Sequence, residues 1–254
     1  MSNELRLAIE AAKKGSEILL KFQNGTENLE IQNKSRFDKV SKADIESENA
    51  IIRILESKFP EYNIQSEESG EKIKTSECTW FIDPLCGSND FIRGFKDFGL
   101  SIALVKDGEV IIGVCCLPAQ DELYWAEKGQ GAFMNGKKIS VSKINNLDDS
   151  IITTHTSAKG KDLTQALNLI QKIAGHYWKV PGSFPQAVCN LARGLSDIHV
   201  EHDVGPIHRL AATIIAVEAG GRASRIDGSE SKIFDNEILV TNGLLHDKIV
   251  SILK

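Results

Sequence analysis

Residues 80–91 read Trp-Phe-Ile-Asp-Pro-Leu-Cys-Gly-Ser-Asn-Asp-Phe, and this stretch decides the fold that we predict. Its apolar beginning predicts a buried strand over residues 79–83, which ends in Asp83 and is followed by a small Gly-Ser turn. Such an ending favours a bound ligand. The amides of residues 87–89 can open a helix and hold a phosphate, while Asp83 and Glu67 can hold a hard cation such as Mg²⁺. The alternative is that Asp83 only caps a helix and Glu67 is solvated.

The composition is typical of a globular protein. The 254 residues are enough for one large domain or two small ones. Apolar residues make up 41% and charged residues 26%, which argues against a disordered or fibrous chain. The 35 acidic and 30 basic residues give a net charge of −5, and the basic residues are scattered. We therefore expect no nucleic-acid partner.

The cysteines and the N-terminal segment bear on location. The five cysteines include no C-x-x-C pair, which argues against a disulfide framework and suits a reducing compartment. The first residues are charged throughout, and no apolar run approaches the ~20 residues that span a bilayer. We expect a cytoplasmic protein without a membrane partner.

Hydrophobic periodicity changes near residue 150. We predict one domain over residues 1–254, with an antiparallel-sheet α+β half over 1–150 and an α/β half over 151–254. The predicted helices cover residues 5–22, 44–59, 163–173, 183–192, 207–219 and 244–253. The predicted strands cover residues 79–83, 100–105, 110–117, 122–126, 151–154, 177–180, 197–200 and 238–241.

Residues 80–91 resemble the motif W-x-[IV]-D-P-[IL]-D-G-[ST]-x-[NE]-[FY] of the inositol monophosphatase superfamily. Further elements similar to those of that family follow in order over nearly the whole chain. They are Lys34-Ser35 with V-S-K-A-D at 40–44, S-E-E-S at 66–69, E-K-G-Q-G-A-F-M-N-G at 127–136, Gly182-Ser183, and E-A-G-G at 218–221. On these residues the chain is identified as a member of the superfamily.

The resemblance implies a fold and an activity. The fold is an α/β protein of layered α+β type, a five-layer α/β/α/β/α sandwich. The activity is that of a metal-dependent phosphomonoesterase with two or three Mg²⁺ ions, acting on a small phosphorylated metabolite. Inositol phosphate, adenosine 3',5'-bisphosphate, histidinol phosphate and a sugar phosphate all stay open as substrates. Members of the family are often homodimers, so we expect a homodimer.

The resemblance also implies roles for single residues. The first Mg²⁺ would be held by Glu67, Asp83 and the carbonyl of Leu85. The nucleophilic water would be oriented by Asp44 and Ser88, which with Glu67 form the catalytic set. The remaining positions would bind substrate: the amides of Gly87 and Ser88 the phosphate, and Ser183 and Glu201 the rest of the molecule.

Two positions depart from the family pattern. Where the family has metal-binding aspartates, this chain has Cys86 and His208. Thiolate and imidazole are poor ligands for Mg²⁺, so we expect the second Mg²⁺ site to be weak or absent. Three explanations stay open: a catalytically impaired protein that still binds a phosphorylated ligand, a phosphatase with one metal or an altered site, and an exchange to Zn²⁺ at Asp83, Cys86 and His208. Cys86 as a small buried thiol and His208 as a hydrogen-bonded helix-start histidine are the structural alternatives.

The segment around His208 carries further charge. His199, His202 and Asp203 are interpreted as part of a surface loop rich in His and Asp. Arg209 follows His208 directly and is expected to bring positive charge near the cation site, which favours phosphate binding over a metal-rich site.

Overall fold

The computed structural model describes residues 1–25, 28–33, 39–154, 161–173 and 176–254. The motif residues Lys34-Ser35 lie outside the described residues. The helices are α1 (Asn3–Gln23), α2 (Lys42–Glu56), α3 (Ser88–Ile92), α4 (Lys161–Ile173), α5 (Phe184–Ala192), α6 (Pro206–Glu218) and α7 (His246–Leu253). The strands are β1 (Gln32–Asn33), β2 (Lys39–Val40), β3 (Asn63–Ser66), β4 (Gly70–Lys72), β5 (Cys78–Cys86), β6 (Gly99–Lys106), β7 (Glu109–Leu117), β8 (Glu122–Glu127), β9 (Ala132–Met134), β10 (Lys137–Lys138), β11 (Ile151–Thr154), β12 (Tyr177–Lys179), β13 (Ile198–His202), β14 (Arg222–Ser224) and β15 (Glu237–Thr241).

The larger sheet has eight strands in the order β10-β9-β8-β7-β6-β5-β3-β4. Its pairs are antiparallel except for β3 and β5, which run parallel. Helices α1 and α2 pack on one face because each presents a buried apolar stripe, which includes Leu5 and Leu19 on α1 and Ile51 and Leu55 on α2. Helix α1 begins where the Ser2 hydroxyl accepts a hydrogen bond from the Leu5 amide at 3.1 Å.

The smaller sheet has five strands in the order β12-β11-β13-β15-β14. Strand β11 runs parallel to both of its neighbours, whereas β13 and β14 run antiparallel to β15. Helices α5 and α6 fill the space between the two sheets, and α4 and α7 cover the outer face of the smaller one. The layers therefore follow the order α/β/α/β/α, and the predicted five-layer sandwich is confirmed.

Several predicted bounds were wrong. The strand predicted over residues 79–83 continues to Cys86, because an irregularity in its pairing with β6 between Asp83 and Cys86 accommodates Pro84. The helix predicted over residues 44–59 begins at Lys42 and ends at Glu56. Within the described residues, no helix combines the length and apolarity needed to cross a membrane.

Candidate active site at the end of strand β5

A cavity of about 330 Å³ opens where β5 ends and where α3, α5 and α6 begin. The residues that line it come from both halves of the chain. They are Glu67, Leu85, Cys86, Gly87, Ser88, Asn89, Asp90, Gly182, Ser183, Phe184, Glu201, Asp203, Val204 and His208. The fold thus brings the predicted residues Glu67, Leu85–Ser88, Ser183, Glu201 and His208 to one cavity.

Asp83 lies beneath this cavity with no exposed surface. Its Oδ1 accepts a hydrogen bond from the Leu85 amide at 3.1 Å, and its Oδ2 lies 2.8 Å from His208 Nδ1. The irregularity in β5 between Asp83 and Cys86 brings Leu85 and Cys86 to the same cavity. Glu67 follows β3, whose parallel pairing with β5 places the ends of both strands side by side, and its amide donates to the Ile82 carbonyl. These oxygen donors suit a hard cation.

Asp44 and Ser88 form a hydrogen-bonded pair next to the Leu85 carbonyl. Ser88 Oγ lies 3.0 Å from Asp44 Oδ1 and 2.9 Å from the Leu85 carbonyl oxygen. Asp44 Oδ2 accepts from both the amide and the hydroxyl of Ser41 at the start of α2. Burial raises the pKa of Asp44, although the hydrogen bonds from Ser41 and Ser88 oppose this shift. The Asp44 carboxylate thus accepts hydrogen bonds that stabilise the N-terminus of α2 and orient the Ser88 hydroxyl.

Cys86 and His208 converge on Asp83. One ligand atom from each of the three residues lies within 4.8 Å of the others. Ligands around a tetrahedral metal with bonds of about 2.0–2.3 Å lie roughly 3.5 Å apart, so small side-chain movements suffice for coordination. An imidazole, a thiol and one carboxylate fit a softer metal better than Mg²⁺.

Burial and the neighbouring carboxylates together shift the pKa values of Cys86 and His208. Burial raises the pKa of the Cys86 thiol well above its usual value, and the charges of Asp83 and Glu67 add to the shift. For His208, burial opposes protonation, but the hydrogen bond and charge of Asp83, with Glu67 and Glu201, outweigh it and raise the pKa to about 9. A metal bound here must therefore displace protons from both ligands.

Close packing shapes the floor of the cavity. A Cβ atom at Gly182 would lie 2.4 Å from Asp90 Oδ2 and 2.5 Å from the Asp97 carbonyl oxygen, so only glycine fits there. Ser183 follows as the N-cap of α5, where its hydroxyl accepts from the Gln186 amide at 3.4 Å. The Ser183 side chain is buried and caps the N-terminus of α5 at the edge of the cavity.

The strand predicted over residues 197–200 is present as β13, but the interpretation of His199 and His202 as parts of a surface loop was wrong. Both residues belong to β13, and His199 has no exposed surface. His199 Nε2 lies 3.1 Å from Glu201 Oε2 and its Nδ1 lies 2.9 Å from Thr153 Oγ1. The alternation of side chains along the strand puts His199 and Glu201 on the same face, whereas His202 points elsewhere and lies 3.6 Å from Glu237.

The expected position of Arg209 was also wrong. Its guanidinium donates to the backbone carbonyls of Lys232, Ile233 and Asp235, and it lines a different cavity. His208 and Arg209 are neighbours in α6, so their side chains diverge by about 100° around the helix axis. Arg209 therefore supplies no positive charge to the site.

The cavity is acidic. Glu67, Asp90, Glu201 and Asp203 line it, and among the described lining residues none is Lys or Arg. An anion such as phosphate would be repelled by this surface unless cations accompanied it. Phosphate binding in this cavity therefore requires cations, and the oxygen atoms of Glu67, Asp83 and Leu85 described above are able to bind them.

Comparison with known proteins places the chain in a family. The model of the inositol monophosphatase family matches residues 1–254. The chain belongs to the inositol monophosphatase family. A "Fructose-1,6-bisphosphatase/inositol-1-monophosphatase" of Aquifex aeolicus is 33% identical, with 98% of this chain and 95% of that protein covered. An "Inositol-1-monophosphatase" of Caulobacter vibrioides is 30% identical, with 97% and 99% covered.

Solved structures of the family agree with the fold. The extragenic suppressor protein SuhB of Bartonella henselae has a TM-score of 0.95 at 28% identity, covering 100% of this chain and 99% of that chain. An inositol monophosphatase of Thermotoga maritima has a TM-score of 0.89 at 29% identity, covering 99% and 97%. The family is one of phosphatases that act with metal ions on small phosphorylated substrates.

Some cavity residues were missed by the sequence analysis. Asp90, Phe184 and Asp203 line the cavity but were not among the predicted site residues. Asp90 belongs to the motif at residues 80–91, and Phe184 directly follows the motif residues Gly182-Ser183, so their positions in the sequence were the available signal. His199 could have been found from its spacing of two from Glu201, which places both on one face of a strand.

Proposed function

We propose that this protein is a metal-dependent phosphomonoesterase that hydrolyses a small phosphorylated metabolite and has an altered second metal site. The observation that carries the proposal is the Ser88–Asp44 hydrogen bond of 3.0 Å beside the Leu85 carbonyl and the acidic cavity. In that arrangement the Ser88 hydroxyl and the Asp44 carboxylate, which can accept a proton from water, lie next to oxygen atoms that can bind a hard cation. It supports in-line attack by an oriented water on a bound phosphate.

The first metal position is assigned to Glu67, Asp83 and the Leu85 carbonyl. Mg²⁺ held there would neutralise phosphate charge and favour deprotonation of a bound water. Ser88 Oγ can accept a hydrogen bond from the attacking water while donating its own proton to Asp44 Oδ1. Asp44 in turn is fixed by Ser41, so the Ser88 hydroxyl is held in one orientation.

The substrate would span the cavity from the turn after β5 to β13. We assign the phosphate to the amides of Gly87 and Ser88, and the remainder of the molecule to the side of Ser183 and Glu201. A carboxylate such as Glu201 accepts hydrogen bonds, so it favours a leaving group that carries hydroxyls. Inositol and sugar phosphates meet this requirement, as does the ribose of adenosine 3',5'-bisphosphate.

We assign the second metal position to Asp83, Cys86 and His208. The convergence of these three ligands within 4.8 Å supports a nitrogen- and sulfur-preferring ion such as Zn²⁺, which Asp83, Cys86 and His208 would hold. Mg²⁺ would bind there weakly or not at all. Purified protein is expected to contain Zn²⁺ near one equivalent, and C86S is expected to lose it. Protein that carries no transition metal would contradict the exchange.

The activity is tested by phosphate release from inositol 1-phosphate, adenosine 3',5'-bisphosphate, histidinol phosphate and fructose 1,6-bisphosphate, with Mg²⁺, Mn²⁺ and Zn²⁺ supplied separately. We expect turnover of at least one of these substrates with at least one of these metal ions, and E67Q should lower that turnover at least a hundredfold. The adjacent E68Q is the matched control and should retain activity. Turnover that survives in E67Q would contradict the assignment of the first metal.

A second candidate function follows from Cys86 and His208. The pair replaces two metal-binding carboxylates, so the protein could bind a phosphorylated ligand without hydrolysing it efficiently. If none of these substrates releases phosphate but calorimetry detects binding of at least one of them, this second function is favoured.

We also propose that the protein is a cytoplasmic homodimer. Sedimentation at micromolar concentration measures its mass and so tests the homodimer.

A further inference from the structure

A buried hydrogen-bonded line runs from the smaller sheet into the cavity. It connects Thr153 on β11 with His199 and Glu201 on β13. The parallel register of these strands sets Thr153 beside His199, and the strand alternation sets His199 and Glu201 on one face. All three residues are buried, and Glu201 is the member that lines the cavity.

The direction of the hydrogen bonds follows from the atoms. A carboxylate only accepts, so His199 Nε2 carries a proton and donates it to Glu201 Oε2 over 3.1 Å. Thr153 Oγ1 holds the other ring nitrogen at 2.9 Å and also lies 3.1 Å from the Ile198 carbonyl oxygen. The ring is thus fixed at both nitrogens.

Packing holds the same ring in place. Phe184 meets His199 edge-on, with ring centroids 5.0 Å apart and planes at 83°. Phe184 begins α5 and also lines the cavity. The imidazole is therefore clamped between two sheet strands and the helix that borders the substrate cavity.

We propose that His199, held by Thr153, is a positioning residue that orients the Glu201 carboxylate to accept hydrogen bonds from hydroxyl groups of the substrate. His199 thereby determines selectivity for polyol phosphates over phosphate esters that lack hydroxyls. This inference rests on the proposed phosphatase function and adds a substrate class to it. His199 is not among the residues that line the cavity, so it would act through Glu201 and not on the substrate directly.

The physical reason is that a glutamate side chain has three rotatable bonds. A donor fixed in the protein interior removes most of that freedom before the substrate arrives, so less free energy is lost on binding. Without the imidazole donor, Glu201 would lose one of the hydrogen bonds that fix its orientation. Hydroxyl recognition would then weaken, while the chemistry at the phosphate would not.

The test compares inositol 1-phosphate with phenyl phosphate in wild type, H199F, H199Q and E201A. H199F keeps an aromatic ring against Phe184 and removes both hydrogen-bonding nitrogens. We expect H199F to raise KM for inositol 1-phosphate about tenfold and to leave kcat/KM for phenyl phosphate within twofold. H199Q retains an amide donor and should recover part of the loss. Combining H199F with E201A should cost no more than E201A alone.

Several results would overturn the proposal. Equal losses on both substrates would indicate a general structural role, which thermal unfolding of H199F would corroborate. An unchanged KM, or losses that add to those of E201A, would show that His199 does not act through Glu201. A wild type that does not prefer inositol 1-phosphate would also contradict it.

Failure of the proposed function gives a different result. If the wild type releases phosphate from neither compound, calorimetric binding of inositol 1-phosphate tests the positioning role, and the proposed phosphatase activity is refuted only if all four substrates named for it also release no phosphate. H199F must then weaken binding of inositol 1-phosphate about tenfold and that of phenyl phosphate by less than twofold. Equal affinities in wild type and H199F would refute the positioning role as well.

Discussion

His208 Nδ1 lies 2.8 Å from Asp83 Oδ2, so a partly exposed imidazole is hydrogen-bonded to a carboxylate with no exposed surface. The resemblance to the family implies an aspartate at this helix position. The imidazole brings a proton, where the aspartate would bring a negative charge, to a site rich in carboxylates. We predict that the metal content, the pH dependence and the stability of the protein depend on the His208–Asp83 pair.

The His208–Asp83 pair should make stability depend on pH in metal-free protein. The pKa of His208 is about 9, above its ordinary value, so the stabilisation is fully present below about pH 6.5 and is lost as the pH rises through 9. We expect H208Q to cost about 1 kcal/mol at pH 6 and little at pH 10, after allowance for solvent screening. Urea unfolding in EDTA measures this, with H202Q as the control. If H208Q lowers the free energy of unfolding by the same amount at pH 6 and pH 10, the His208–Asp83 pair does not make stability depend on pH.

Restoring both carboxylates should restore Mg²⁺ chemistry. The double variant C86D/H208D supplies the hard oxygen ligands that Mg²⁺ prefers at the second position. We expect Mg²⁺-dependent kcat/KM to rise at least tenfold and Mg²⁺ stoichiometry, measured by calorimetry, to increase by one. The single variants serve as controls and should gain less. A double variant no better than the parent would show that these two positions do not limit the reaction.

The Ser88 hydroxyl should be required for turnover. S88A removes the group that links the attacking water to Asp44, so we expect kcat to fall by about 10²–10⁴. S88T keeps the hydroxyl and should retain most of the activity. Both are measured under saturating substrate and Mg²⁺. Equal activity of S88A and S88T would remove Ser88 from the catalytic set.

His246 should limit stability in acid. It is fully buried between Ser224 and Thr241, with its ring nitrogens 2.9 Å and 3.0 Å from their hydroxyls. Burial lowers its pKa to about 4, so the unfolded chain binds a proton that the folded chain does not. Stability should therefore fall as the pH drops from about 6.5 towards 4, by up to ~1.4 kcal/mol for each pH unit.

The variant H246F isolates this effect. It removes the titrating group together with its hydrogen bonds to the hydroxyls of Ser224 and Thr241, so it should be less stable than wild type at pH 7.5. The difference in the free energy of unfolding should shrink on acidification to pH 4.5. A difference that stays constant between these pH values would contradict the assignment to His246.

Much of the helical framework was predictable because its signals are local. The apolar stripe of α1 and the Ser2 cap lie within one segment of chain, so periodicity located that helix to within two residues. The turn at Asn135–Gly136 was also predictable, because both residues adopt positive φ angles that favour Asn and Gly. The parallel pairing of β3 with β5 was not predictable, since strand partners are distant in the sequence.

The sequence by itself determined the family and the five-layer fold, and it carries Cys86 and His208 at two positions where the resemblance implies aspartates. Those conclusions rest on residue identity and spacing, which the chain carries without folding. Only the tertiary structure decided where side chains point. It buried His199 against Glu201 and turned Arg209 away from the cavity, because orientation depends on which face of a strand or helix meets the rest of the molecule.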